Sequence, residues 1–339
     1  MEGSIDCYFN KLLEGMERNN LASRHRRRQL VKFLSDVIDN SAKVEIVDEI
    51  EICERIVRAA LRYHNISMTE NYSICILGKF HNVLYIAAKL CYDWQVNNNE
   101  LVINILNDIF YCEKSFERIF IGAILGTRVT HFLSGWKSDF ENKEENIKAL
   151  VYFLDHAIQA RLEFYCLSLS STRRFIDVPM ESYGQVVPLH VAVQNASPDI
   201  LQIMLRYGAS IKDDRFIPAP IEVLLARINE YNEEVTCPQQ LLICLKLLLR
   251  TIPTIIIKIP NHLTDSNNIQ NISIYKQYPN LALRKLLPPE RLGSVPPELK
   301  HLCRCRIRQC LSDNWALPHG IKLLQIPKLL QDYLDLLTD

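Results

Sequence analysis

A pattern of two short amphipathic helices at residues 187–211 constrains the fold of this 339-residue chain more than any other sequence feature. Pro188 marks the start of the first helix, where its missing backbone N–H costs nothing. The second helix has an apolar face at helical spacing, formed by Ile200, Leu201, Met204 and Leu205. Gly208 then ends this helix in a left-handed conformation. A unit of this size cannot bury its own apolar faces, so the pattern requires stacked neighbours.

The order of residues in this unit closely resembles an ankyrin repeat. A Pro-Leu-His-x-Ala first helix begins at Pro188, an aliphatic second helix follows, and Gly208-Ala209 close the unit. The match predicts that His190 bonds to the adjacent loop and that Ala192 is small because the two helices approach each other there. His190 is therefore interpreted as a structural residue of the repeat.

A second, degenerate unit follows the first. Ala219-Pro220 repeats the start of the pattern, with Glu222 at the position of the histidine. A polar insertion at residues 229–238 delays its second helix to residues 241–250. Helical spacing of apolar residues also continues through the N-terminal part of the chain. The sequence therefore predicts an all-α fold, an ankyrin-type helical solenoid with a helical N-terminal region.

Four segments are expected along the chain. A helical region without a family assignment covers residues 1–145, and ankyrin-like repeats cover residues 146–258, clearest at 184–213 and degenerate at 218–251. A polar, interrupted segment at residues 259–292 connects the repeats to a helical module at residues 293–339.

The C-terminal module begins with an amphipathic helix. Pro296 and Pro297 mark its start, and Leu299, Cys303 and Ile307 recur at positions i, i+4 and i+8. The stripe is widened by Leu302, Cys310 and Leu311, whereas Lys300, Arg304 and Arg308 point elsewhere and Arg306 falls close to the stripe. Leu317-Pro318 breaks the chain, and Pro327 opens a last short helix with Leu330, Tyr333 and Leu334.

This pair of segments closely resembles a SOCS box. The resemblance implies an Elongin C-binding surface formed by Leu299, Leu302, Cys303, Ile307 and Leu311. It also implies a cullin-binding surface formed by Leu324, Ile326, Pro327, Leu330, Tyr333 and Leu334. Two positions depart from the pattern: Glu298 precedes the first Leu, and Gln325 stands where the cullin-binding sequence has its first Pro. The second departure weakens the inference of cullin recruitment more than that of Elongin binding.

Ankyrin repeats followed by a SOCS box define the ankyrin repeat and SOCS box family, which this chain resembles over residues 185–339. The resemblance implies a non-catalytic substrate receptor of a ubiquitin ligase. Its expected partners are Elongin C, Elongin B, a cullin with its RING protein, and an unidentified protein substrate. Two alternatives stay open: a plain ankyrin-type scaffold whose C-terminal helices only cap the fold, and an enzyme within the N-terminal half.

The amino-acid composition bears on the classes of partner and on the cellular compartment. Lys plus Arg and Asp plus Glu both total 39, so the net charge is zero, and nothing indicates nucleic acid or an anionic membrane as a partner. The basic run at residues 24–28 is interpreted as a solvated helix face. Eleven cysteines, an odd number, and an N-terminus without a signal-peptide pattern favour free thiols inside the cell, in the cytoplasm or alternatively the nucleus.

Catalytic, metal and cofactor sites are not expected. The sequence lacks the short motifs of hydrolases, nucleotide-binding loops and zinc proteases. His301, Cys303, Cys305 and Cys310 could supply zinc ligands by type, but they share one helix, and Cys303 and Cys305 point to different faces. We therefore predict no catalytic residue, no metal ligand and no cofactor.

Overall fold

The computed structural model confirms the predicted all-α fold. It describes residues 8–17, 21–75, 78–126, 139–211, 218–231, 236–255, 274–284 and 286–339. The chain divides into two compact units, Met1–Gln185 and Val186–Asp339. No helix among the described residues is both long enough and apolar enough to cross a membrane.

Six helices form most of the first unit. They are α1 (Leu21–Glu45), α2 (Glu49–Glu70), α3 (Lys79–Asp93), α4 (Asn99–Glu113), α5 (Glu117–Leu125) and α6 (Lys143–Gln159). Three of them begin at a side chain that caps the first turn: Asp48 before α2, Asn98 before α4 and Asn142 before α6. Helices α2 and α3 pack closely against each other, and α4 contacts both.

A two-stranded antiparallel hairpin follows α6 and is the one pair of strands among the described residues. Strand β1 (Glu163–Cys166) pairs with β2 (Ser171–Arg174), with Glu163 opposite Arg174. Phe164 points inward from β1 and lies 4.3 Å from Phe110 between ring centroids. The sequence analysis missed this hairpin because four-residue strands are too short to show a clear alternating pattern.

The basic run in α1 is not simply a solvated face. Arg27 is only 1% exposed, and its guanidinium donates to both carboxylate oxygens of Asp139, with Nε 2.9 Å from Oδ2. A bidentate pair of this kind is a strong charge-assisted interaction. The prediction was therefore wrong for Arg27, because helical spacing alone could not reveal an acidic partner 112 residues away.

Two stacked helical hairpins form the start of the second unit. They are α7 (Pro188–Gln194) with α8 (Pro198–Arg206), and α9 (Pro220–Asn229) with α10 (Gln239–Leu249). The first helices of the two hairpins pack on each other, as do the second helices, which is the stacking of an ankyrin-type solenoid. The expected bond from His190 is present, since its Nε2 donates to the Pro218 carbonyl oxygen at 2.5 Å.

The rest of the second unit is a series of short elements and one longer helix. They are α11 (Ile274–Gln277), α12 (Pro279–Arg284), a 3-10 helix (Pro289–Arg291), α13 (Leu299–Asp313), a second 3-10 helix (His319–Leu323) and α14 (Lys328–Leu334). Residues 259–273 of the expected connecting segment lie outside the described residues. The last three elements form the C-terminal module, whose middle helix is of the 3-10 type.

Candidate functional site

Helix α13 exposes its apolar residues. Leu299 is 76% exposed, Leu302 39% and Ile307 37%, and Cys303 and Cys310 are also exposed. The structure thus brings four of the five predicted Elongin C-binding residues together on one open face. The fifth, Leu311, is half-buried and packs against the module's own core.

The opposite face of α13 is basic and buried. His301, Arg304 and Arg308 are each less than one-tenth exposed. His301 Nε2 donates to the Ile252 carbonyl oxygen at 2.8 Å, and its Nδ1 accepts from the Arg304 guanidinium at 3.1 Å. The Arg304 guanidinium carbon in turn lies 4.1 Å from the centroid of the Tyr333 ring. This helix therefore buries its charged side and leaves its apolar side open to solvent.

Arg308 anchors the helix to its surroundings. Its guanidinium donates to the Leu334 carbonyl oxygen at 2.7 Å and to the carbonyl oxygen of Leu205, the last turn of α8. Burial lowers the pKa of this guanidinium to about 10. With this pKa the Arg308 side chain stays charged at neutral pH. It donates to carbonyl groups at the C-terminal ends of helices, where a cation is favoured.

The chain terminus fixes the module against the ankyrin-type hairpins. Arg206 forms a bidentate pair with Asp335, at 3.0 and 2.6 Å. Gln202 donates to the Leu336 carbonyl oxygen at 3.1 Å, and Arg250 pairs with Asp339. These contacts hold the inner face of α13 in place, so its outer face has a defined orientation.

The module has a small apolar core of its own. Leu317, Ile321 and Leu334 are buried together, with three partly buried side chains packed against them, Leu311, Leu324 and Ile326. The predicted cullin-binding residues therefore divide into two groups. Leu324, Ile326 and Leu334 support the module internally, and Tyr333, 7% exposed, lies beneath Arg304 and Lys300.

Pro327 and Leu330 belong to the exposed group. Two further residues that the sequence analysis did not select, Leu323 and Leu329, are 82% and 71% exposed beside them. Gln325, the position that departs from the SOCS-box pattern, is exposed as well. The C-terminal module thus carries a second group of exposed apolar residues, Leu323, Pro327, Leu329 and Leu330.

The cysteines of α13 do not assemble a metal site with His301. Cys303 and Cys310 are exposed on the outer face, whereas Cys305 lies beside the buried His301, with Sγ 3.4 Å from Nε2. Within the part of the chain that the structure describes, a group of side chains that could hold a metal ion lies in the first unit instead. It comprises His64, Cys75, His81 and Cys112.

Comparison with known proteins supports the C-terminal assignment. Residues 295–335 match the SOCS box family. The chain is similar to ankyrin repeat and SOCS box protein 17 of Canis lupus familiaris, with 34% identity over 155 residues. The corresponding proteins of Bos taurus and Homo sapiens are 33% and 30% identical to this chain, each over 155 residues. The predicted resemblance to ankyrin repeat and SOCS box proteins is confirmed.

These similarities have a limited extent. Each of the three matches covers 44% of this chain, and the chain spans about half the length of the curated relatives it matches, 50% in each case. No solved structure gives a significant match. The comparisons therefore support a SOCS box at residues 295–335, whereas the activity and partners of this chain have to be argued from its surfaces.

Proposed function

We propose that this chain, a SOCS-box protein, is the non-catalytic substrate-recognition subunit of an Elongin B/C–cullin–RING ubiquitin ligase. The observation that carries the proposal is the outward apolar face of α13, with Leu299, Leu302, Cys303 and Ile307 open to solvent. An amphipathic helix with anchors at i, i+4 and i+8 is suited to a hydrophobic groove on a partner. Elongin C is the partner that the SOCS-box match favours.

The exposed apolar side chains of α13 can still gain free energy by becoming buried against a partner. Burial of each Leu or Ile side chain contributes about 1.5–3 kcal/mol before the costs of association are subtracted. Leu299, 76% exposed, keeps most of that free energy available to a partner, whereas Leu302 and Ile307, 39% and 37% exposed, keep only a part of it. Cys303 fits between them as a small, soft apolar side chain.

A cullin would contact the second group of exposed apolar residues. Leu323, Pro327, Leu329 and Leu330 are the exposed apolar residues there, while the buried Tyr333 and Leu334 hold the helix that presents them. The cullin's RING protein would supply the ubiquitin-transfer machinery. The receptor's contribution is proximity, since it holds a target protein near the charged ubiquitin carrier. We place this activity in the cytoplasm and assign target binding to the helical and ankyrin-type region.

The direct test is calorimetric titration of the full chain with purified Elongin B/C. We expect saturable binding by the wild-type chain and its loss in the Leu299→Arg/Cys303→Arg double variant, because two charges would enter an apolar groove. Leu323→Arg is the matched control, since it adds charge to an equally exposed Leu of the same module outside the α13 face. Absence of binding by the wild-type chain, or equal binding by all three proteins, would contradict the proposal.

The alternative, a scaffold whose C-terminal helices only cap the solenoid, requires a different test from simple truncation. The pair between Arg206 and Asp335 and the bond from Arg308 to Leu205 connect the module to the ankyrin-type hairpins. Deletion of residues 295–339 would therefore lower stability under either hypothesis. Variants on the outward face of α13 separate the two hypotheses. If the helix only caps the fold, Leu299, which is 76% exposed, should contribute little to it.

A further inference from the structure

Two histidines and two cysteines converge in the first unit. His64 lies in α2, Cys75 in the connection after it, His81 in α3 and Cys112 near the end of α4. One potential ligand atom from each residue lies within 4.8 Å of those of the other three. The two imidazole rings are fully buried, and both thiols are partly buried.

The distances are close to those of a tetrahedral zinc site. Zinc–sulfur bonds of about 2.3 Å and zinc–nitrogen bonds of about 2.0–2.1 Å place neighbouring ligand atoms about 3.3–3.8 Å apart. Cys112 Sγ lies 3.3 Å from His64 Nε2, and Cys75 Sγ lies 4.0 Å from His81 Nδ1. Small movements of side chains would complete the coordination geometry.

Both histidines are oriented as metal ligands by carboxylates behind them. His64 Nδ1 lies 3.2 Å from Asp108 Oδ2, and His81 Nε2 lies 2.6 Å from Glu113 Oε1. An ionised carboxylate only accepts hydrogen bonds, so each of these nitrogens carries the proton. In the neutral imidazole the other nitrogen then presents its lone pair to the cluster. Carboxylates commonly orient metal-binding histidines in this way.

We propose that His64, Cys75, His81 and Cys112 form a structural Zn²⁺ site. Two thiolates and two imidazoles in a buried tetrahedral set are the ligands that zinc prefers for a closed, four-coordinate site. All four positions are taken by protein side chains, which leaves none for a substrate. The site would stabilise the first unit and is independent of the proposed role of the C-terminal module.

The placement of the ligands explains what such a site would accomplish. The metal would tie α2, α3 and α4 together at one point and hold the connection between α2 and α3 through Cys75. Because the ligands are separated by up to 48 positions in the sequence, one ion would close three loops of the chain at once. Metal binding to such a site is coupled to folding, since the unfolded chain has no preformed site.

The test uses the full chain purified with a non-thiol reductant and added zinc. We expect one tightly bound zinc per chain by mass spectrometric metal analysis. Replacement by Co²⁺ should give the visible bands of tetrahedral cobalt together with thiolate charge-transfer bands. Both readouts use the wild-type protein and therefore do not depend on whether a variant folds.

Variants then locate the ion. Cys75→Ala and Cys112→Ala should each lose the stoichiometric zinc, whereas Cys166→Ala, a buried cysteine of the same unit outside the cluster, should keep it. Asp108→Asn should keep the site but weaken zinc affinity about 10- to 100-fold, because it alters only the residue that orients His64. Removal of zinc with a chelator should lower the melting temperature of the wild type and of Cys166→Ala.

Three outcomes would overturn the proposal. The reduced wild-type chain could bind neither Zn²⁺ nor Co²⁺ at one ion per chain. Stoichiometric zinc could persist in both Cys75→Ala and Cys112→Ala. Alternatively, Cys75 and Cys112 could form a disulfide on purification that, once reduced, leaves a protein without tight metal binding.

Discussion

Helices α8 and α13 have similar helical periodicity but opposite burial. In α8, Ile200, Leu201, Met204 and Leu205 are at most 2% exposed, as expected of the apolar face of a repeat. In α13 the apolar face is open, and His301, Arg304 and Arg308 are buried. A hydrophobic stripe therefore identifies a face that will be buried against something. It does not say whether the covering surface belongs to the same chain.

The charged inner face explains how α13 can turn its apolar side outward. Arg308 donates to two main-chain carbonyl oxygens, and Arg304 stacks on Tyr333. Hydrogen bonds from a charged donor are stronger than those between neutral groups. These interactions hold the inner face, although Nε and Nη1 of Arg304 are buried without a hydrogen-bond partner among the described residues. The orientation of α13 therefore does not depend on burying Leu299 or Ile307.

The largest expected difference between the two helices concerns stability. Leu201→Ala in α8 should lower the free energy of unfolding by about 2–5 kcal/mol, because it leaves a cavity in a closed core. Leu299→Ala in α13 should change it by no more than about 0.5 kcal/mol, since the side chain is exposed. Urea denaturation of both variants measures the difference. Equal destabilisation would show that the outer face of α13 packs within its own chain.

A second test compares two arginines on α13. Arg308→Met should destabilise the chain by about 1–3 kcal/mol, because the carbonyl groups of Leu205 and Leu334 lose their donor. Arg306→Met should have almost no effect, because Arg306 is exposed. The same denaturation series measures both. A harmless Arg308→Met would mean that the basic face does not anchor this helix.

The smallest predicted effect concerns Gly208, which follows the C-cap residue of α8, Tyr207. Its φ of 80° is left-handed, and an added Cβ would lie 2.9 Å from Ser312 Oγ and 3.3 Å from Leu317 Cδ1. Gly184 has a similar φ of 76° but nothing within 4 Å of an added Cβ. Gly184→Ala should therefore cost about 1 kcal/mol from backbone strain. Gly208→Ala should cost measurably more in the same assay, and equal costs would argue against close packing at Ser312.

Much of the second unit could be predicted from the sequence. The Pro-Leu-His start, Gly208 and the degenerate Ala219-Pro220 unit specify two hairpins, and the periodicity of Leu299, Cys303 and Ile307 specifies the stripe of α13. The inward role of Arg304 and Arg308 could not be predicted, because their acceptors are main-chain carbonyl groups and an aromatic ring brought near only by the fold.

The histidine–cysteine cluster was missed for a related reason. Zinc ligands are usually recognised in sequence as close pairs on a turn. Here 10, 5 and 30 residues separate successive members from His64 to Cys112, so no short motif exists. The two partner carboxylates, Asp108 and Glu113, are equally inconspicuous in the sequence. Only the packing of α2, α3 and α4 places these side chains together.

The central claim, that the outer face of α13 is the Elongin C-binding surface, is tested most directly by thiol footprinting. Cys303 is exposed on that face, whereas Cys237, half-buried outside the C-terminal module, serves as the internal control. Alkylation rates of both would be measured by mass spectrometry, with and without saturating Elongin B/C. The account predicts strong protection of Cys303 and an unchanged rate at Cys237. An unchanged rate at Cys303 under saturating Elongin B/C would contradict it.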